Sequence, residues 1–265
     1  MVELIVVFVI GLAVGSFLNA CIYRVPRKIS LLSPPSHCPA CKSAISAREN
    51  IPLVSFILLK GKCKHCGAAI HWRYPLVELL GGALLLLTYL RFGFSFGLFF
   101  YYSFVCALLV VTFIDHELRV IPDRINLSFM LIGLGGGVLS QLRVVSGLNV
   151  DIIPSLLGIV IGGGSLTLVA YLYLKVTGVE GMGGGDVKLA AMIGAFLGWK
   201  AVLMVIFIAA AGGSVLGLAL VFIFRMSRRT PIPFGSFMAP AGILVLFCES
   251  RLLELFSSLS AVRAG

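Results

Sequence analysis

The sequence predicts an all-helical membrane protein of about eight transmembrane helices, with one small polar domain between the first and second. Three observations carry that reading. Hydrophobic residues make up 59% of the chain and charged residues 12%, and the mean hydropathy is +1.07. Soluble domains lie nearer about 45–50% apolar and about 25% charged. The apolar residues fall in blocks close to the roughly 20 residues that cross a bilayer as a helix. The one long polar stretch, residues 22–74, also holds four of the seven cysteines. The net charge of +10 raises nucleic acid as a partner. The charge sits in loops flanking apolar blocks, with no basic face of interleaved aromatics, so no nucleic acid is expected and membrane lipid is.

The first span occupies residues 1–21, with Gly11, Gly15 and Ser16 as small packing positions. A cleaved signal peptide needs basic residues ahead of its apolar core. Here Glu3 precedes the core and Arg24, Arg27 and Lys28 follow it. That order predicts an uncleaved anchor with its N-terminus outside. Residues 22–74 form the polar domain, and 75–265 hold seven further spans near 75–91, 97–114, 125–141, 152–174, 186–198, 201–224 and 236–256. The span at 186–198 is short and glycine-flanked, which predicts a tilted or partly re-entrant segment. The triplets Gly135-Gly136-Gly137 and Gly162-Gly163-Gly164 lie inside spans without the Lys-Ser/Thr of a phosphate loop, and they predict close helix packing.

Charge tests this topology. With the N-terminus outside, segments 22–74, 115–124, 175–188 and 225–235 share the cytoplasmic side. They carry sixteen of the twenty-one Lys and Arg residues, leaving Arg91, Arg143, Lys200, Arg251 and Arg263 opposite. That asymmetry satisfies the positive-inside rule. Arg225, Arg228 and Arg229 suit lipid headgroups as well.

The same topology places two aspartates at one membrane face. The chain has only four: Asp115, Asp123, Asp151 and Asp186. Carboxylates at membrane depth are expensive and mark function. Asp115 follows the run Leu108-Leu109-Val110-Val111-Thr112-Phe113-Ile114, and Ile121-Pro122 breaks the helix beyond it. Asp123 is placed to cap the next helix. Gly183-Gly184-Gly185 precedes Asp186, which starts a helix and leaves room for an extended substrate backbone to approach. Two such carboxylates held close can share a proton and activate water for peptide hydrolysis. Each alone also fits a helix cap. The pair also fits an ion- or proton-coupled transporter.

Cys38-Pro39-Ala40-Cys41 and Cys63-Lys64-His65-Cys66 are paired Cys-x-x-Cys knuckles separated by twenty-one residues. The spacing predicts a closed, structural zinc site. Disulfide or redox use is the weaker reading on a reducing side of the membrane. Gly67 serves the tight turn after the second knuckle, and His37, His65 and His71 read as solvated neighbours, with replacement ligands as the alternative. Cys21, Cys106 and Cys248 lie in spans as packing residues.

The stretches Phe113-Ile114-Asp115 to Ile121-Pro122-Asp123 and Gly183-Gly184-Gly185-Asp186 resemble the two motifs of the type IV prepilin peptidases, membrane aspartyl proteases of the GxGD kind. The resemblance runs along nearly the whole chain. It includes Gly15-Ser16-Phe17-Leu18-Asn19, Arg48-Glu49-Asn50-Ile51-Pro52, Trp72-Arg73-Tyr74-Pro75 and Pro233-Phe234-Gly235-Ser236-Phe237-Met238-Ala239-Pro240. Ser236 stands where that family commonly has proline, a mild departure. The resemblance implies a bacterial inner-membrane enzyme that removes basic leaders from type IV prepilins and type II secretion pseudopilins on the cytoplasmic side. Asp115 and Asp186 would be its dyad, Gly183, Gly184 and Gly185 its substrate-approach loop, and 75–265 its peptidase domain. Family members with a tetracysteine domain also methylate the new N-terminus from S-adenosylmethionine. That implication makes 22–74 the methyltransferase region, with Glu49, Asn50 and Gly61 as donor-binding candidates and Glu78 further off. Glu117 and Glu180 are candidates to meet the leader's charge.

Overall fold

The structure is a computed structural model that describes residues 1–33, 35–223 and 233–262. Arg225, Arg228, Arg229 and Arg263 of the charge analysis lie outside these residues. Eight helices are present among the described residues, joined by turns and two isolated bridges. They are α1 (Val2–Arg24), α2 (Val54–Leu58), α3 (Arg73–Phe92), α4 (Phe96–Leu118), α5 (Asp123–Gln141), α6 (Ile152–Thr177), α7 (Gly184–Phe222) and α8 (Gly235–Val262), with a 3-10 turn at Ala47–Asn50.

Five of the eight are long and apolar enough to cross a membrane: α1, α3, α4, α6 and α7. Helix α5 has 19 residues but opens on Asp123, Arg124 and Asn126. The apolar described part of α8 runs only from Gly235 to Cys248. Helix α7 joins what the sequence reads as two spans. At 39 residues it would be roughly 58 Å long if straight, about twice a hydrocarbon core. Gly198 interrupts it with φ 81° and ψ 175°, a conformation that few residues other than glycine adopt. The short glycine-flanked span at 186–198 therefore ends where the helix breaks.

The chain packs as two compact units, Met1–Val110 and Val111–Gly265. In the first, α1 and α3 lie together over small residues. A Cβ on Gly11 would meet the Gly81 carbonyl oxygen at 2.7 Å, and one on Gly15 would meet the Glu78 Cα at 2.6 Å. In the second unit α6 packs on α7 in the same manner: a Cβ on Gly162 would meet the Ala190 carbonyl oxygen at 2.7 Å. Gly137 packs against Ile152 and Ser155, whereas Gly135 and Gly164 face open space. Glycine contacts of this kind let backbones approach closely where no hydrophobic force separates helix from lipid. Helix ends are set locally. Gly93 (φ 61°) follows α3, and Gly178 (φ 71°, left-handed) closes α6 by donating its N–H to the Leu174 carbonyl.

Candidate functional site

Three segments far apart in sequence meet around Asp115. The carboxylate lies in the last turn of α4 and is buried, at 4% exposure. Arg119, in the left-handed region at φ 55°, ends the helix, and its N–H closes on the Asp115 carbonyl at 2.9 Å. The start of α8 then supplies partners from 121 residues away. The Ser236 backbone N–H donates to Asp115 Oδ2 at 2.7 Å, and the Ser236 hydroxyl donates to the same oxygen at 2.9 Å. Gly235 must be glycine for this approach. A Cβ there would meet Ile121 Cδ1 at 2.6 Å and Asp115 Oδ2 at 2.9 Å.

Asp186 lies in the first turn of α7, where the sequence expects it. Its N–H donates to the Gly183 carbonyl at 3.1 Å. The backbone amides of Gly183 and Gly235 face its carboxylate, and Asp115 is close enough to act on it electrostatically. Gly235 thus touches both acids. Asp186 Oδ1 is buried without a hydrogen-bond partner among the described residues. An orphaned buried carboxylate oxygen is costly unless it carries a proton or meets a ligand.

The glycine loop is fixed at one end and open at the other. Gly185 packs on Ile121, and Asn126 Nδ2 donates to the Gly185 carbonyl at 3.3 Å. Lys188 pairs with Asp123 at 2.7 Å. Gly183 and Gly184 are exposed, and a Cβ on Gly184 would meet nothing within 4 Å. This pairing corrects the reading of Asp123 as a helix cap. Pro122 holds the cap position of α5, no side-chain cap bond forms, and the carboxylate faces Lys188 instead. The proline fixes the chain's entry, so Asp123 falls one residue inside the helix.

The four knuckle cysteines also converge. The sulfurs of Cys38, Cys41, Cys63 and Cys66 all lie within 4.8 Å of one another, and Cys38 Sγ to Cys66 Sγ is 3.9 Å. Sulfurs at tetrahedral corners around a metal, each about 2.3 Å from it, stand roughly 3.8 Å apart. The two knuckles repeat one pattern of backbone bonds. Lys42 N–H donates to the Cys38 carbonyl and Gly67 N–H to the Cys63 carbonyl, both at 2.9 Å. His37 bridges to Ala44, and Lys62 to Ala69.

The electrostatics suit a cation. The Ser43 hydroxyl, then its backbone, holds the Cys41 thiol down to about 6. Backbone amides of Cys66 and His65 lower Cys63. The Ala68 amide favours the Cys66 thiolate too, but burial and the other three thiols outweigh it and push Cys66 up to about 11. Four packed sulfurs cannot all ionise alone, and a divalent ion relieves that conflict.

Beside the cluster, Glu49 reaches back to the Ser46 N–H at 3.1 Å as a capping box and pairs with Lys64 at 3.1 Å. The Ser46 amide first, then Lys64, holds it down to about 2. His65 Nε2 lies 3.7 Å from the same carboxylate. Asn50 is exposed, and Gly61 (φ 68°) sits against the Phe56 ring. The three donor-site candidates thus belong to one small module with the cysteines. Sequence reasoning passed over Ser236 and Asn126. The proline-to-serine departure was the available signal for Ser236.

Residues 9–92 match the bacterial peptidase A24 N-terminal domain, and residues 102–222 match the type IV leader peptidase family. A protein of Xanthomonas campestris pv. campestris is 35% identical over 277 residues, covering 96% of this chain and 94% of its own. The chain belongs to the type IV leader peptidase family. A Pseudomonas aeruginosa relative is 35% identical over 270 residues, 93% of this chain and 91% of its own length. One from Dichelobacter nodosus is 36% identical over 280 residues, 94% of each chain. All three are named prepilin leader peptidase/N-methyltransferase. No solved structure matches the chain.

Proposed function

We propose that this protein cleaves the leaders of type IV prepilins and pseudopilins and methylates the N-terminus it creates. Asp115 and Asp186 are the peptidase dyad. The observation that carries this reading is the meeting of both acids at Gly235, at the end of one helix and the start of another. Ser236 occupies Asp115 Oδ2 and leaves Oδ1 to take a proton from water. Asp186 Oδ1, buried and unpartnered, carries the shared proton and gives it towards the scissile carbonyl. Water is the nucleophile, so no acyl-enzyme forms. The substrate's backbone approaches extended over Gly183, Gly184 and Gly185, whose missing side chains leave that path open.

Cys38, Cys41, Cys63 and Cys66 hold zinc as a structural ion, which their donor chemistry and spacing fit. S-adenosylmethionine supplies the methyl group when bound, and Glu49, Asn50 and Gly61 are the donor-side candidates. The chain lies in the inner membrane with about eight spans, its N-terminus outside and both sites at the cytoplasmic face. The coupled-transport reading finds no support in relatives named as peptidases.

The test is mass spectrometry of a purified prepilin incubated with the protein in detergent, with and without S-adenosylmethionine. Leader loss, plus a methyl increment only with the donor, is expected. An intact pilin with wild-type protein, across several candidate pilins, would overturn the reading.

A further inference from the structure

The peptidase reading leaves three stretches singled out by the sequence without a role: residues 15–19, 48–52 and 72–75. In the first unit the first reaches one buried carboxylate, the second holds the turn that bonds to it, and the third opens the helix that carries it. Glu78 lies in the second turn of α3 and is 8% exposed. The Leu53 N–H donates to its Oε2 at 2.9 Å, and Ser16 of α1 also hydrogen-bonds to it. Leu53 is held at φ 59° and ψ −44°, a strained conformation for a branched side chain. Ser55 secures this strained turn by accepting from the Ile51 N–H at 3.0 Å and donating to the Arg48 carbonyl at 2.9 Å.

Two features of this cluster lack a partner among the described residues. Among the described residues no ion pair reaches Glu78. Arg73, five residues earlier, places its guanidinium 4.9 Å from the Tyr74 ring centre instead. One turn along α1 from the point where Gly15 packs on Glu78 stands Asn19, 3% exposed. Its Nδ2 donates to the Tyr74 carbonyl at 3.0 Å, and its Oδ1 is buried with no partner. Glu78, a buried carboxylate without a counter-ion among the described residues, and Asn19, an unused buried acceptor on the same α1–α3 contact, together offer a site for a small cation carrying donors or positive charge.

We propose that Glu78 and Asn19 form the cation-binding end of the methyl-transfer site, taking a reactant of that step: the α-ammonium of the cleaved pilin or the sulfonium of the methyl donor. The inference rests on the proposed methyltransferase activity. The segment 48–55 links this carboxylate to Glu49 and Asn50, so donor-side and cation-side groups belong to one continuous module. Helix and loop do not need the charge itself. A neutral acceptor at position 78 would still take the Leu53 N–H.

Glu78→Gln keeps that acceptor and removes only the charge. Binding to wild-type and variant protein in detergent is measured for S-adenosylmethionine and its uncharged thioether product S-adenosylhomocysteine. A mature pilin with a free N-terminus is compared in the same way with its N-acetylated form. If the sulfonium sits at Glu78, the variant loses about ten-fold or more for S-adenosylmethionine and nothing for the thioether. If the ammonium sits there, the variant loses as much for the free pilin and nothing for the acetylated one. Asn19→Leu removes the second acceptor and weakens the same cationic ligand several-fold. Methyl transfer falls in both variants, and prepilin cleavage by the same preparations reports that they are folded. Equal binding of every ligand by wild type and Glu78→Gln overturns this proposal alone. A wild-type protein that neither binds donor nor methylates overturns the underlying reading with it.

Discussion

The cysteine cluster and the aspartate pair are assembled in opposite ways. Each knuckle is a local turn: its two ligands are three residues apart, and its backbone bonds close within ten residues. The aspartates are 71 positions apart, and the Gly235-Ser236 step that touches both comes from a third helix. Local assembly needs only turn chemistry and an ion. Distant assembly needs three helix ends to arrive together, so its geometry rests on packing. The knuckles should therefore fail by losing metal, and the aspartate site by sub-ångström displacement.

The largest effect expected from that contrast is also the plainest. Asp115→Asn and Asp186→Asn should each lower prepilin cleavage by about 10³-fold or more, since neither amide can exchange the required proton. Methylation of an already cleaved pilin should persist in both, because the cation-binding cluster belongs to the other compact unit. Leader loss and the methyl increment read by mass spectrometry on the same samples check this. Equal loss of both activities would break the separation between the two regions.

Next is Gly235→Ala, which adds one methyl where Ile121 and Asp115 already stand within 3 Å. Displacing a catalytic group by a fraction of an ångström to an ångström costs up to about 10²-fold. A fall of that order in the cleavage rate is expected, with metal content unchanged by elemental analysis. Gly184→Ala has open space around its Cβ and should change the rate far less.

The metal cluster should respond to pH where the aspartate site's packing does not. Cys41 is held down to about 6 from an ordinary value of 9.0. A depressed acid contributes fully above its ordinary pKa and loses its contribution as pH falls through the folded-state value. Zinc binding should therefore weaken as pH falls, and Cys41→Ser, which removes one of the four thiolate ligands, should move zinc release to higher pH. Metal content after dialysis at graded pH checks both.

What the sequence could show follows the same division. The four cysteines were legible because their chemistry is written in residue type and short spacing, and Asp115 and Asp186 because each stands where a long apolar run breaks. The all-helical membrane class was legible because apolar blocks of span length are local features. So was the break at Gly198, which ends the short glycine-flanked span read at 186–198. Two things were not. Asp123 was assigned to a cap from local pattern alone, while its partner Lys188 comes from 65 residues away. Ser236 carries no motif chemistry of its own, and Glu78 is reached from the sequence only through the family resemblance. Their importance lies in which buried oxygen they meet, and only the packed helices determine that.

The smallest effect separates the two knuckles from each other. Gly67 and Lys42 occupy equivalent positions, and both adopt left-handed backbone, at φ 73° and φ 60°. A non-glycine residue pays about 1–2 kcal/mol for that conformation, and glycine gives back roughly 0.5–1 kcal/mol through its freer unfolded chain. Lys42→Gly should therefore stabilise the metal-loaded module by about 0.5–1 kcal/mol, and Gly67→Ala should weaken it by a similar amount. Competition with a zinc chelator reads both as shifts of about two- to five-fold in apparent metal affinity, in opposite directions. Because each turn closes within its own knuckle, neither change should alter the cleavage rate. A change in cleavage that tracked zinc affinity would mean that the locally built region governs the distantly assembled one.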